Sequence, residues 1–77
     1  MTRRLCEQAA MLCSAIHSQR QTEPSFRNED ACDALNADAD VRALAFTTMS
    51  SAWARLSPHR SDERWAEAHA MLMNGEV

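Results

Sequence analysis

Fourteen of the 77 residues are alanine, and glycine occurs once, at Gly75. Alanine is the strongest helix former and glycine among the weakest, so nearly the whole chain is biased toward helix. The β-branched aliphatics that strands favour are confined to Ile16, Val41 and Val77, and tyrosine is absent. These features predict an all-α domain over residues 1–77, a small three- to four-helix bundle.

The same alanine richness limits the core. Leu, Ile, Val and Phe number 11, and five Met with two Trp bring the large apolar side chains to only 18. Chains with less than ~20% Leu, Ile, Val and Phe stay disordered when they also carry a high net charge. Here the net charge is −3, which leaves a folded domain as the expectation. A chain this short buries only about 60–65% of its unfolded surface. The expectation is that it shares apolar surface with a second copy, as a homodimer, or with a partner protein.

Four helical segments follow from apolar spacing. Leu5, Ala9, Leu12 and Ile16 repeat at helical intervals over Thr2 to Ser18, with Cys6 and Cys13 widening the stripe. Gln19 to Pro24 breaks that pattern. A short helix over Asn28 to Leu35 takes Asn28 as its cap, Glu29 and Asp30 in its first turn, and Phe26 as a staple. Its inward face reads Ala31, Cys32, Ala34 and Leu35. Asp38 caps a third helix, Ala39 to Leu56, with Asp40 in the first turn. One stripe of it runs Val41, Leu44, Ala45, Thr48, Ala52, and a second runs Phe46, Met49, Trp53, Leu56. So wide an apolar arc makes it either the central helix or a contact helix. Ser57-Pro58 ends it, and Ser61 caps a fourth helix, with Asp62 and Glu63 in its first turn. Trp65, Ala68, His69 and Leu72 share one face of that helix, Met71 and Met73 flank it, and Asn74-Gly75 stops it.

No residue pattern announces catalysis. Cys13 and His17 stand four apart, within reach of each other on a helix, but a thiol–imidazole pair needs an orienting third group and an oxyanion site. A lone alanine-rich helix supplies neither, and no glycine-rich loop is present. The chain is therefore read as a non-enzyme without cofactor. Cys6, Cys13, His17 and Cys32 form an alternative metal-binding or thiol-redox set. Their spacing matches no common zinc motif, and buried free cysteine as a small hydrophobe is the stronger reading. His59 reads as a solvated turn residue and His69 as a rim residue.

Charge is lopsided in one place. Residues 28–40 carry Glu29, Asp30, Asp33, Asp38 and Asp40 and no base. Several of these serve helix starts; together they also suit a basic surface on another protein. A nucleic-acid-binding regulator is the third alternative, through Arg3, Arg4, Arg20 and Arg27. The pI near 5.5 and the acids Asp62, Glu63 and Glu67 on the last helix weigh against it. No apolar run reaches the length needed to cross a membrane, and three cysteines fit no secreted disulfide framework, which points to the cytoplasm. All eight basic residues are arginine, a mark of a GC-rich genome.

The functional expectation is a small protein-interaction module of bacterial, phage or mobile-element origin. It would be an inhibitor or adaptor that occludes a partner's surface, with anti-defence inhibition of nucleic-acid-binding machinery as one version. The expected contact residues are Phe46, Met49, Trp53, Trp65, Met71 and Met73, which hot spots favour by type, with the acids Glu29, Asp30 and Asp33.

Overall fold

The computed structural model describes residues 2–56 and 63–76. Among these residues the secondary structure is entirely helical, in four helices: α1 (Arg3–Thr22), α2 (Asn28–Ala34), α3 (Ala39–Arg55) and α4 (Arg64–Met73).

α1 starts where the Thr2 hydroxyl accepts the Leu5 amide at 3.2 Å. It runs a full turn beyond the expected stop at Ser18. Gln19, Arg20 and Gln21 are good helix formers, and Pro24 restrains only the residue before it. That residue, Glu23, is the C-cap, in extended conformation. α2 also departs from expectation at its start. Arg27 holds the N-cap position without a side-chain hydrogen bond. The Asn28 side chain faces back instead, and its Oδ1 accepts from Arg20 Nε at 3.2 Å and Nη2 at 3.0 Å. The expected cap has become a clasp between α1 and α2.

α2 ends in a left-handed residue, Asn36, at φ 52°. The Asn36 amide donates to Asp33 O and the Ala37 amide to Cys32 O, which closes a Schellman motif. α4 ends the same way, with Gly75 at φ 71°, its amide on Leu72 O and the Glu76 amide on Met71 O. α3 begins as expected, with Asp38 Oδ1 accepting the Val41 amide at 2.9 Å. The expected Ser57-Pro58 turn, the Ser61 cap with Asp62, and His59 lie outside the described residues.

α1, α3 and α4 pack mutually, and α2 lies against α1. The core unites Ala9, Ala10, Leu12, Cys13 and Ile16 with Ala31, Cys32, Val41, Leu44, Ala45, Ala52, Trp65, Ala68, Met71 and Leu72. Every residue of the first α3 stripe is buried, Thr48 included. On the second stripe Phe46 and Met49 are half-buried against the core. Phe46 meets Trp65 edge-on, with ring centroids 5.5 Å apart. α4 therefore covers much of the face that the sequence left open. Ala34 and Leu35, expected inward, are exposed.

The radius of gyration is 11.4 Å, against about 11.5 Å expected for a compact chain of this length. The interior is closed with alanine where other domains use leucine, in a body measuring 32 × 27 × 15 Å.

Candidate interaction surface

The expected contact residues separate into two groups. Trp65 and Met71 are interior: Trp65 is fully buried and Met71 nearly so. Neither contributes to a surface, because α4 turns both toward α1 and α3. Phe46 and Met49 stand at the edge of the core. Trp53 and Met73 remain outside, at 39% and 57% exposure. Two further large apolar side chains are exposed: Met11, at 60%, lies off the apolar stripe, and Leu35, at 41%, was expected inward. By helical spacing Met11 falls on the face of α1 opposite the buried stripe of Ala9, Leu12, Cys13 and Ile16.

Trp53 is held by Arg64. The guanidinium carbon lies 4.8 Å from the Trp53 ring centroid and 5.8 Å from that of Trp65. Arg64 Nε and Trp65 Nε1 are buried without a hydrogen-bond partner among the described residues. The cation is thus seated on aromatic faces, a contact worth roughly 0.5–2 kcal/mol.

The five carboxylate residues of the acidic segment are all exposed, although Ala31 and Cys32 between them are buried. Glu29 pairs with Arg27 at 3.2 Å and Asp33 with Arg42 at 3.5 Å. Asp38 is engaged as a cap. Asp30 and Asp40 make no ion pair among the described residues. The two flanking arginines therefore offset only part of the charge, and exposed pairs of this kind add little to stability.

Among the described residues, three clefts stand out on the surface. One, of about 150 Å³, is lined by Gln8, Met11, Leu12, Leu35, Ala37, Asp38 and their neighbours. Another, of about 280 Å³, is lined by Leu5, Asp40, Ala43, Leu44 and Thr47. The third, of about 330 Å³, brings His17 and Gln21 to Leu56, Glu63, Ala66 and Glu67. It offers an imidazole and two carboxylates, one of which, Glu67, pairs with Arg55 at 3.5 Å. Among the described residues no hydroxyl or thiol nucleophile lines it.

The alternative metal set does not assemble. Among the described residues no three His, Cys, Asp or Glu side chains could together hold a metal ion. All three cysteines are free thiols. Cys13 is fully buried, with its Sγ 3.9 Å from the Ala45 carbonyl oxygen. Burial pushes its thiol up to about 12, and burial likewise raises that of Cys32. Both are protonated at neutral pH and are poor nucleophiles there.

Comparison with known proteins gives no match to any family model, curated protein or solved structure.

Proposed function

We propose that this chain is a small non-catalytic protein-interaction module, an inhibitor or adaptor that works by covering part of a partner protein. One observation carries the reading. A chain poor in large apolar residues closes its interior with alanine, yet leaves Met11, Leu35, Trp53 and Met73 in solvent. Isolated exposed apolar residues are ordinary. Here two of them, Met11 and Leu35, line one cleft that Asp38 borders. Apolar contact area beside uncompensated charge is the composition of a protein interface.

The charge selects the partner. An acidic edge meets a basic surface, and proteins that handle nucleic acid present such surfaces to the phosphate backbone. An inhibitor that occupies that surface in place of the nucleic acid is the concrete form of the proposal, with a bacterial, phage or mobile-element source for so short and acidic a chain.

The test is photo-crosslinking in cells that carry the chain, with a photoreactive residue placed in turn at positions 11, 35, 53 and 73. Exposed Ser14 and Ser51 serve as control positions. The expected result is a discrete adduct from at least one apolar position and none from the controls. No adduct from any of the four positions overturns the reading.

A further inference from the structure

We propose that Asn74 and Gly75 form a site of spontaneous backbone modification, where asparagine converts irreversibly to isoaspartate, and that the turn closing α4 sets the rate. The site needs no partner and stands apart from the interaction reading above.

Asparagine is labile because its side-chain amide carbon can close a small ring onto the next backbone nitrogen. Here the Gly75 nitrogen attacks Asn74 Cγ. A bond forms between them, and the bond from Cγ to the side-chain nitrogen breaks. The Gly75 amide proton leaves with that nitrogen as ammonia. Water then opens the cyclic imide at either carbonyl, giving aspartate or, with the backbone routed through Cβ, isoaspartate. Glycine leaves the attacking nitrogen uncrowded, since it has no Cβ. The chain holds three asparagines, and the other two precede Glu29 and Ala37, whose side chains crowd that nitrogen. Asn28 is also half-buried, with its Oδ1 held by Arg20 Nε and Nη2. Asn74 is exposed, and a Cβ built on Gly75 would meet nothing within 4 Å, so the surroundings are open.

The fold holds the reaction back. Ring closure requires Asn74 Cβ to eclipse the Gly75 nitrogen about the Asn74 Cα–C bond. Asn74 has ψ −3°, which puts its own nitrogen in that place and its Cβ a third of a turn away. The Schellman bonds fix that angle: the Gly75 amide donates to Leu72 O at 3.3 Å and the Glu76 amide to Met71 O at 2.9 Å. The proton that Gly75 must give up is therefore an engaged one. Turning Asn74 breaks these two backbone bonds and the long Arg55–Glu76 pair at 3.8 Å, while the Asn74 amide keeps Ala70 O at 3.0 Å. Helix ends open at small cost, so conversion proceeds through a minor, frayed state.

The product cannot close the turn again. Isoaspartate adds an atom to the backbone, and its free α-carboxylate lies at the negative end of α4, where it is unfavourable. The Gly75 and Glu76 amides lose their register on Leu72 and Met71, and Glu76 is drawn off Arg55. Exposed Met73 and buried Met71 and Leu72 occupy the same turn, so the change reaches the surface and the edge of the core together.

The test incubates the full chain at neutral and at mildly alkaline pH. Aged samples are read by mass spectrometry, with fragmentation that separates isoaspartate from aspartate. The expected result is conversion at Asn74, mostly to isoaspartate and faster at the higher pH, with Asn28 and Asn36 unchanged over the same interval. In urea above the unfolding midpoint it should run about tenfold faster, equivalent to a local opening of ~1.4 kcal/mol in the folded chain. Amide signals of aged protein should shift at residues 70–76. Asn74→Asp adds the carboxylate without lengthening the backbone and should keep the Gly75 and Glu76 amides protected from exchange. Asn74→Gln needs a larger ring and should abolish the conversion. No conversion in the folded chain, equal conversion at Asn28 or Asn36, or aspartate without isoaspartate overturns the site. Equal rates with and without urea overturn control by the turn. Unchanged amide signals at residues 70–76 after conversion overturn its structural consequence.

Discussion

The two tryptophans are chemically identical and structurally opposite, which makes them a direct test of the fold. Trp65 is fully buried and meets Phe46 edge-on. Replacing it with alanine removes the largest buried side chain and leaves a cavity that alanine-rich neighbours cannot reach across to fill. Large-to-small changes of this kind cost about 3–5 kcal/mol, including ~0.5–1.5 kcal/mol for the lost ring pair. A domain of this length has a total stability of ~4–12 kcal/mol. Trp65→Ala should therefore unfold most of the protein or lower its urea midpoint by several molar, given a slope of ~1 kcal/mol/M. Trp65→Phe gives up less volume and should cost ~1–2 kcal/mol, keeping a measurable transition. Trp53 is partly exposed and loses chiefly its contact with Arg64, so Trp53→Ala should cost no more than ~2 kcal/mol. Urea titrations followed by circular dichroism measure all three. Fluorescence supplies a second readout, because Trp53→Phe leaves only the buried indole, whose emission should lie to the blue of the wild type. Equal costs for the two alanine variants, or a Trp65→Ala protein as stable as wild type, would refute the placement of Trp65 at the centre of the core.

Three more outcomes are expected. Asp38→Ala should cost about 1 kcal/mol through loss of the Val41 amide's acceptor, whereas Asp38→Asn should be nearly neutral; thermal melts compare them. Asn28→Ala should cost ~1 kcal/mol and speed amide exchange in α2 above that in α3, because it removes the acceptor that ties α2 to Arg20. The third concerns alkaline pH. The Cys13 thiol ionises near its ordinary 9.0 when unfolded and near about 12 when folded. Its contribution to stability is intact below pH 9 and is lost as pH rises toward 12, at about 1.4 kcal/mol per unit. Denaturant midpoints measured from pH 8 to 11 should fall, and Cys13→Ala should flatten the fall, leaving the smaller share due to Cys32.

Helix content was legible because alanine and glycine usage is a local property of the backbone. The third helix was legible in detail because its cap and its inner stripe are written in Asp38 and its own residues. The ends of α1 and α2 were not. The apolar stripe ends near Ser18, but helix formers carry the backbone on until Pro24 intervenes. Asn28 has the chemistry of a cap, and only the approach of Arg20 shows that its side chain is used elsewhere. The site was less legible still. Composition marks Trp65 and Met71 as typical contact residues, and their burial depends on how α4 crosses α3. Met11 and Leu35 emerge as surface features only once the α2–α3 turn is folded against α1. The acidic edge, a property of sequence order, was visible from the start.

The alanine interior also governs how this molecule can change. Alanine has no side-chain torsion to adjust, so where α1, α3 and α4 press together through such methyl groups the helices have almost no slack. Enlarging Ala9, Ala45, Ala52 or Ala68 would force backbone shifts or strained rotamers, since all four are fully buried. Variation is thereby channelled outward, to Met11, Leu35, Trp53, Met73 and the carboxylates around them. Substitution at that rim leaves the packed interior as it is.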